Sequence, residues 1–460
     1  MKHDTDGFSI SRRRMLTQSG AGFGWLGLAA TLAEEQQLTA APDSESRNPL
    51  APKRPHFKPQ AKRIIFLFMN GGPSHVDTFD PKPELVNQEG KKGPGGKWMP
   101  SPFKFSRHGQ SGLAVSDLYP HVARCIDDVC VVRSMYTSTP NHEPGLFMMN
   151  SGIQQPLRPS IGSWLNYGLG TENQNLPGFV VLCPGKPVVG PALWSNSFLP
   201  GIYQGTHINN AKLDPQKVIG HLSNQNLTQP SQRRLLNLTQ RLNREHLRQR
   251  DRDTQLDARI NSLEMAYRMQ FEAQEAFDIG RESQGTLDAY GQGQFADGCL
   301  IARRLVERGV RMVQLFYGSG QPWDAHGNIM DHKRDAGKSD QPIAALLQDL
   351  KTRGLLDETI VIWGGEFGRT PTAQGARGRN HHATGFSIWL AGGGFRGGMT
   401  YGATDELGMH SIENRMSVHD LHATLLHQMG IDHERLTFRY SGRDFRLTDV
   451  HGNVAHQIIA

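Results

Sequence analysis

Short apolar runs recur along this chain, each stopped by glycine or polar residues. The first is Arg63-Ile-Ile-Phe-Leu-Phe-Met69, which ends in Asn70-Gly71-Gly72. Similar runs lie at Val129–Arg133, Gly178–Cys183, Val310–Tyr317, Thr359–Gly364 and Phe386–Ala391. Their length and glycine stops predict buried strands. Both faces of each run are mostly apolar, the pattern of parallel strands covered by helices on two sides. Helical spacing alternates with them. Ile343, Leu346, Leu347 and Leu350 repeat at i, i+3, i+4 and i+7, and Val418, Leu421, Leu425, Leu426 and Met429 repeat similarly behind Ser417, a predicted N-cap. This alternation predicts one layered α/β domain over residues 62–460. Residues 231–283 differ: dense in Arg, Gln, Glu and Leu, they hold no Pro or Gly before Gly280. They predict a long helix or helical hairpin inserted into the domain, with a solvated charged face.

The N-terminus reads as an address. Ser11-Arg-Arg-Arg-Met-Leu16 precedes a short glycine-rich apolar stretch containing Phe23, Trp25, Leu26, Leu28 and Leu32. This resembles a twin-arginine export signal over residues 1–41, with residues 42–61 as a linker. The expected location is periplasmic or extracellular. After that segment no apolar run reaches the ~18 residues of a membrane span.

Composition narrows the class further. The 460 residues are 37% hydrophobic and 20% charged, with 51 Gly and 26 Pro, which suits a loop-rich globular protein. The formal charge is +6, but Lys2, Arg12, Arg13 and Arg14 belong to the signal segment, so the body is only mildly basic. No basic stripe interleaved with aromatics marks a nucleic-acid partner. The four cysteines (Cys125, Cys130, Cys183, Cys299) form no Cys-x-x-Cys pair, which excludes a zinc finger. Export leaves a Cys125–Cys130 or longer-range disulfide open.

Chemistry gathers in five polar segments at or near strand ends, where open α/β sheets place their sites. They are Asn70–Asp80, with Ser74, His75 and Asp77; Thr137–Gly145, with Thr139 and His142; Trp323–Asn328, with Asp324 and His326; Gly365–Pro371, with Glu366 and Arg369; and Arg379–Gly385, with His381 and His382. Oxygen and imidazole donors of this kind predict a site for divalent metal ions such as Zn²⁺, Ca²⁺ or Mn²⁺.

Gly71-Gly-Pro-Ser-His-Val-Asp-Thr-Phe-Asp80, Trp323-Asp-Ala-His326, Gly365-Glu-Phe-Gly-Arg-Thr-Pro371 and His381-His382 together resemble the bacterial domain-of-unknown-function 1501 family. The resemblance covers almost all of residues 60–455. That family is grouped with the alkaline phosphatase and sulfatase superfamily. The resemblance therefore implies an alkaline phosphatase-like α/β/α sandwich with a mostly parallel central sheet.

The superfamily's first strand ends in a metal-bridging aspartate, and Asn70 stands at that position, with His75 or Asp77 nearby to compensate. Glu366 takes the place of a late-strand aspartate. His381 or His382 matches a metal-binding histidine before the final strand, and Asp324 with His326 matches an upstream metal pair. The sulfatase nucleophile motif is absent. Aligning Ser151-Gly152 with its ending places His142 on the nucleophile, Pro144 on the proline and Leu146 on the arginine. Ser74, Thr139, His142 or metal-bound water then remain as candidate nucleophiles or acid/base groups, and Arg369 as a partner for a substrate oxyanion. The expected function is hydrolysis of a phosphate or sulfate ester, with an anionic ester or sulfated polymer as substrate. The alternative is an exported binding or surface-associated protein that has lost catalysis and uses the helical insertion as its partner surface.

Overall fold

The computed structural model describes residues 49–211, 228–248, 264–265, 267–269 and 272–460. The expected signal segment (1–41), the start of the linker and parts of the 231–283 insertion lie outside the described residues.

Eleven strands organise the site. They are β1 (Arg63–Phe68), β2 (Val129–Tyr136), β3 (Phe179–Leu182), β4 (Thr206–Ile208), β5 (Met312–Phe316), β6 (Thr359–Gly364), β7 (Gly368–Gln374), β8 (Gly378–His382), β9 (Phe386–Ala391), β10 (Met399–Tyr401) and β11 (Met416–Ser417). Nine of them form one sheet in the order β10-β2-β9-β6-β1-β5-β3-β4, with β11 also paired to β2. β1 pairs parallel with both β6 and β5, in the registers Phe68↔Gly364 and Phe68↔Phe316. Only β9 runs antiparallel, between β6 and β2. Each of the six apolar runs became a strand of this sheet.

The alternation along β1 explains the layering. Ile65 and Leu67 enter one core, while Ile64, Phe66 and Phe68 enter the other. A period of two sends neighbours to opposite faces, so an all-apolar strand requires cover on both sides. On the first face lie α4 (Gln294–Glu307) and α5 (Asp331–Thr352), whose Ile343, Leu346, Leu347 and Leu350 are buried. On the second lie α1 (His142–Ser151), α2 (Ile161–Leu169) and α6 (Val418–Gln428). Each such apolar side chain contributes roughly 1.5–3 kcal/mol on burial. Ser417 caps α6 as expected, in a capping box with Asp420. The result is an α/β/α sandwich with a mostly parallel sheet. Within the insertion, α3 (Gln229–Arg248) leaves Leu235, Leu238 and Leu242 exposed. All four cysteines are free, and Cys130, Cys183 and Cys299 are buried, so the open disulfide expectation gives way to thiols held in the core.

Two local structures depart from the sequence reading. Thr137–Gly145 contains the start of α1, so His142 sits in that helix's first turn. Residues 368–382 form the β7–β8 hairpin, with Arg369 opposite His381 and Gly368 opposite His382.

Candidate metal centre

The carboxyl ends of β1, β5 and β6 lie side by side, and the segments that follow them build the centre. After β1, Asn70 donates its side-chain amide to the carbonyls of Gly318 (2.9 Å) and Gly320 (2.5 Å) in the segment after β5. Gly71 has φ +116°, and a Cβ there would stand 2.6 Å from the Asp324 amide nitrogen. Only glycine permits both the turn and this approach. The segment after β5 thereby brings Asp324 against the end of β1.

Four side chains converge on one point. A donor atom from each of His142, Asp324, His326 and His381 lies within 4.8 Å of the others. His326 Nε2 is 2.8 Å from His381 Nε2 and 3.0 Å from Asp324 Oδ1. His381 Nε2 is 3.3 Å from Asp324 Oδ1, and His142 Nε2 is 3.4 Å from Asp324 Oδ2. Donors about 2.0–2.1 Å from a tetrahedral ion stand about 3.3 Å apart, so these spacings match a single shared cation. His142 Nε2 is buried and has no hydrogen-bond partner, because its 3.4 Å approach to Asp324 does not meet hydrogen-bond geometry. A buried, unpaired ring nitrogen aimed at a carboxylate is the donor that a cation would satisfy.

The rings are held in orientation from behind. His142 Nδ1 donates to Glu366 Oε1 at 2.6 Å, leaving Nε2 as the free donor atom. Gly71 N–H also donates to both Glu366 oxygens, at 3.0 and 3.2 Å. His326 Nδ1 donates to Gln374 Oε1, which turns its Nε2 inward. A second hydrogen bond that fixes tautomer and ring angle is the usual support of a metal-binding histidine.

Charge follows the same design. Burial raises the pKa of the Asp324 carboxyl, but the adjacent His142 and His381 rings and the Arg369 guanidinium outweigh it and hold the group far below the usual range. Burial lowers the pKa of His142, yet the neighbouring carboxylates of Asp324 and Glu366 outweigh it, and the net shift is upward. Burial dominates at His381 and lowers its pKa.

Several expected site residues fall elsewhere. Glu366 is fully buried, is not one of the four converging groups, and accepts from His142 Nδ1. Arg369 is also fully buried, with its donors spent on the carbonyls of Gly71, Gly72 and Arg379 and on Asp324 Oδ1 (2.5 Å). Arg369 is thus an internal charge partner for Asp324.

His382 faces the opposite side of β8 from His381, because successive strand residues alternate. Its Nε2 bonds the Met409 carbonyl at 2.6 Å, and its ring stacks on His75 at 5.8 Å. His75 in turn bonds the Gly408 carbonyl. Asp77 is buried in an ion pair with Arg379 (2.7 Å) and accepts from Ser74 Oγ (2.5 Å), and neither Asp77 nor Ser74 is among the four converging groups. Thr139 Oγ1 accepts from the Asn141 amide. Among the described residues, no hydrogen bond of the four converging groups reaches a Ser, Thr or Cys side chain. Gln374, absent from the sequence-based candidates, carries no motif signal; only the hairpin register brings it to His326.

The family described as "Protein of unknown function (DUF1501)" matches residues 61–459. No curated protein matches the chain. Among solved structures it is similar to the lipoteichoic acid synthase LtaP from Listeria monocytogenes, at 9% identity over 87% of this chain and 78% of that one, with a TM-score of 0.36. It is similar also to the PsFucS1 sulfatase from Pseudoalteromonas sp., at 12% identity over 81% and 68%, with a TM-score of 0.34. A TAB5 alkaline phosphatase mutant aligns at 10% identity over 81% and 98%, with a TM-score of 0.33.

Proposed function

We propose, for a chain that belongs to the DUF1501 family, that it is a metal-dependent hydrolase of phosphate or sulfate esters, working outside the cytoplasm. The observation that carries the reading is the convergence of His142, Asp324, His326 and His381 within 4.8 Å. These four residues would hold one divalent ion. Three imidazoles favour Zn²⁺ over Ca²⁺ and Mn²⁺, which suit oxygen ligands. Such an ion supplies Lewis acidity toward an ester oxygen and a water nucleophile at neutral pH. Asp324 contributes the negative charge and Arg369 offsets part of it from the buried side. Glu366 and Gln374 hold the His142 and His326 rings so that each presents Nε2. With Ser74 bonded to Asp77, direct attack by water accounts for the chemistry better than a covalent intermediate. The placement outside the cytoplasm rests on the Ser11–Leu16 motif.

Elemental analysis of the purified protein tests this reading. The expected result is one divalent ion per chain, lost in Asp324→Asn and His381→Ala together with cleavage of aryl phosphate or sulfate esters. Protein without metal after reconstitution, or ester cleavage retained in both variants, overturns it.

One observation favours a second reading, a metal-containing binding protein without turnover. Four protein donors complete a tetrahedral shell, the closed arrangement of structural sites, whereas catalytic sites keep a position open. Stoichiometric metal with no cleavage of any ester would select it.

A further inference from the structure

Residues 88–99 form a glycine- and lysine-rich tongue against the outer half of the β7–β8 hairpin. Lys92-Gly93 pairs antiparallel with Gly96-Lys97, so Lys92 stands directly opposite Lys97. Pro94-Gly95 makes the turn, with Gly95 at φ +72°. The tongue is pinned in place. Trp98 bridges to Thr372, the Met99 amide donates to the Pro371 carbonyl (3.0 Å), and Thr372 Oγ1 donates to the Pro94 carbonyl (3.0 Å). A Cβ at Gly96 would fall 2.1 Å from the Ala373 carbonyl oxygen, so the tongue and hairpin backbones are in direct contact.

This rigid placement carries an electrostatic cost. Like charges directly opposite on paired strands repel. Lys92 and Lys97 are both exposed, and neither enters an ion pair among the described residues. Lys91 and Arg377 are exposed nearby and add to the positive charge; Glu89 is the single carboxylate lining the adjoining cavity. That cavity, about 920 Å³, is bounded by Lys92, Lys97 and Trp98 on one side and by Ala373, Gly375 and Ala376 on the other. The hairpin tip also carries Gln374, whose side chain reaches His326 in the metal cluster. The cavity thus adjoins the centre along the hairpin, where Ala373 on its wall is the neighbour of Gln374.

We infer that the tongue is an anion-binding subsite, which holds a second sulfate or phosphate group of a polyanionic substrate while another is presented to the metal centre. An anion between the two ammonium groups would convert their repulsion into two attractions. Trp98 offers a flat apolar wall for the backbone that carries the anion. A ligand that occupies the tongue and the centre together carries at least two anionic groups, as an oligomer or polymer does and a monoester does not. This inference takes its substrate role from the proposed hydrolase, but the binding itself does not depend on metal.

Titration calorimetry of the full chain with dextran sulfate, polyphosphate and neutral dextran tests it. Dextran sulfate or polyphosphate should bind and neutral dextran should not, and preference between the two anions identifies the source. Lys92→Glu/Lys97→Glu should weaken binding about tenfold, since two exposed ion pairs are lost and two repulsions gained. Lys92→Arg/Lys97→Arg should retain binding, with metal content and folded circular dichroism unchanged in both variants. Asp324→Asn should still bind the polymer after losing its metal, so the tongue stands or falls separately from the hydrolase reading. Unchanged affinity in the charge-reversed variant, equal binding of neutral dextran, or no binding of either polyanion overturns the inference.

Discussion

Replacing Glu366 by glutamine exchanges one oxygen for an NH₂ group at a fully buried position. The carboxylate now accepts the Gly71 amide with both oxygens and His142 Nδ1 at 2.6 Å. Glutamine keeps the shape and one oxygen able to accept from both donors as Oε1 does now, but it removes the negative charge and sets an NH₂ where Oε2 accepted from Gly71. The loss of a charge-assisted bond releases the ring, lets its tautomer change and lowers the basicity of Nε2. Loss of such an orienting partner weakens metal binding about 10–100-fold, or about 1.4–2.7 kcal/mol. Competition against a chromogenic chelator measures the affinity directly, and saturating metal should restore one ion per chain. Two results refute the reasoning. Unchanged affinity means that His142 needs no brace. Failure to bind the ion even at saturation means that Glu366 is itself a ligand, as the sequence alone suggested.

Two further outcomes follow from other buried groups. Arg369→Met leaves Asp324 without its internal cation and several carbonyls unpaired, so denaturant unfolding should show a loss of about 3–5 kcal/mol. A selective rise in KM at unchanged stability would instead return Arg369 to the substrate. His422 is buried on α6, where desolvation lowers its pKa to about 4, and it bonds the Met149 carbonyl. The unfolded chain then takes up this proton first, near pH 6.5, so stability falls as pH drops from about 6.5 to 4, by about 3 kcal/mol for this group. His422→Gln should reduce that slope in pH-dependent unfolding; an identical slope refutes the assignment.

The fold was largely legible because buried parallel strands leave uninterrupted apolar runs such as Ile64–Phe68, and each run names its own strand. The site was legible as a set of segments but not as a set of partners. Whether His381 or His382 faces the centre is a matter of strand parity, and that parity is set by the pairing of Arg369 with His381. No local feature of His381-His382 encodes it. Glu366 and Arg369 carry the charges that suggest ligand and anion binder, but complete burial turns both toward neighbouring side chains and backbone. The Asp77–Arg379 pair joins residues 302 positions apart, and neither motif reveals the other. Gln374 has chemistry too common to single out.

The four converging donors also set when the centre can exist during folding. Asp324 and His326 are near neighbours in sequence, but His142 lies 182 residues before Asp324 and His381 lies 55 after His326. An unfolded chain can offer at most a weak two-donor chelate, because closing the longer loops costs entropy before any bond to an ion is made. Assembly of the centre requires β1, β5, β6 and the β7–β8 hairpin in their native arrangement. An ion bound there acts as a ligand of the native state alone, and at a free concentration 100 times its Kd it deepens the folded basin by about 2.7 kcal/mol. Chelation therefore acts on the cooperative stability of the whole sandwich rather than on one loop.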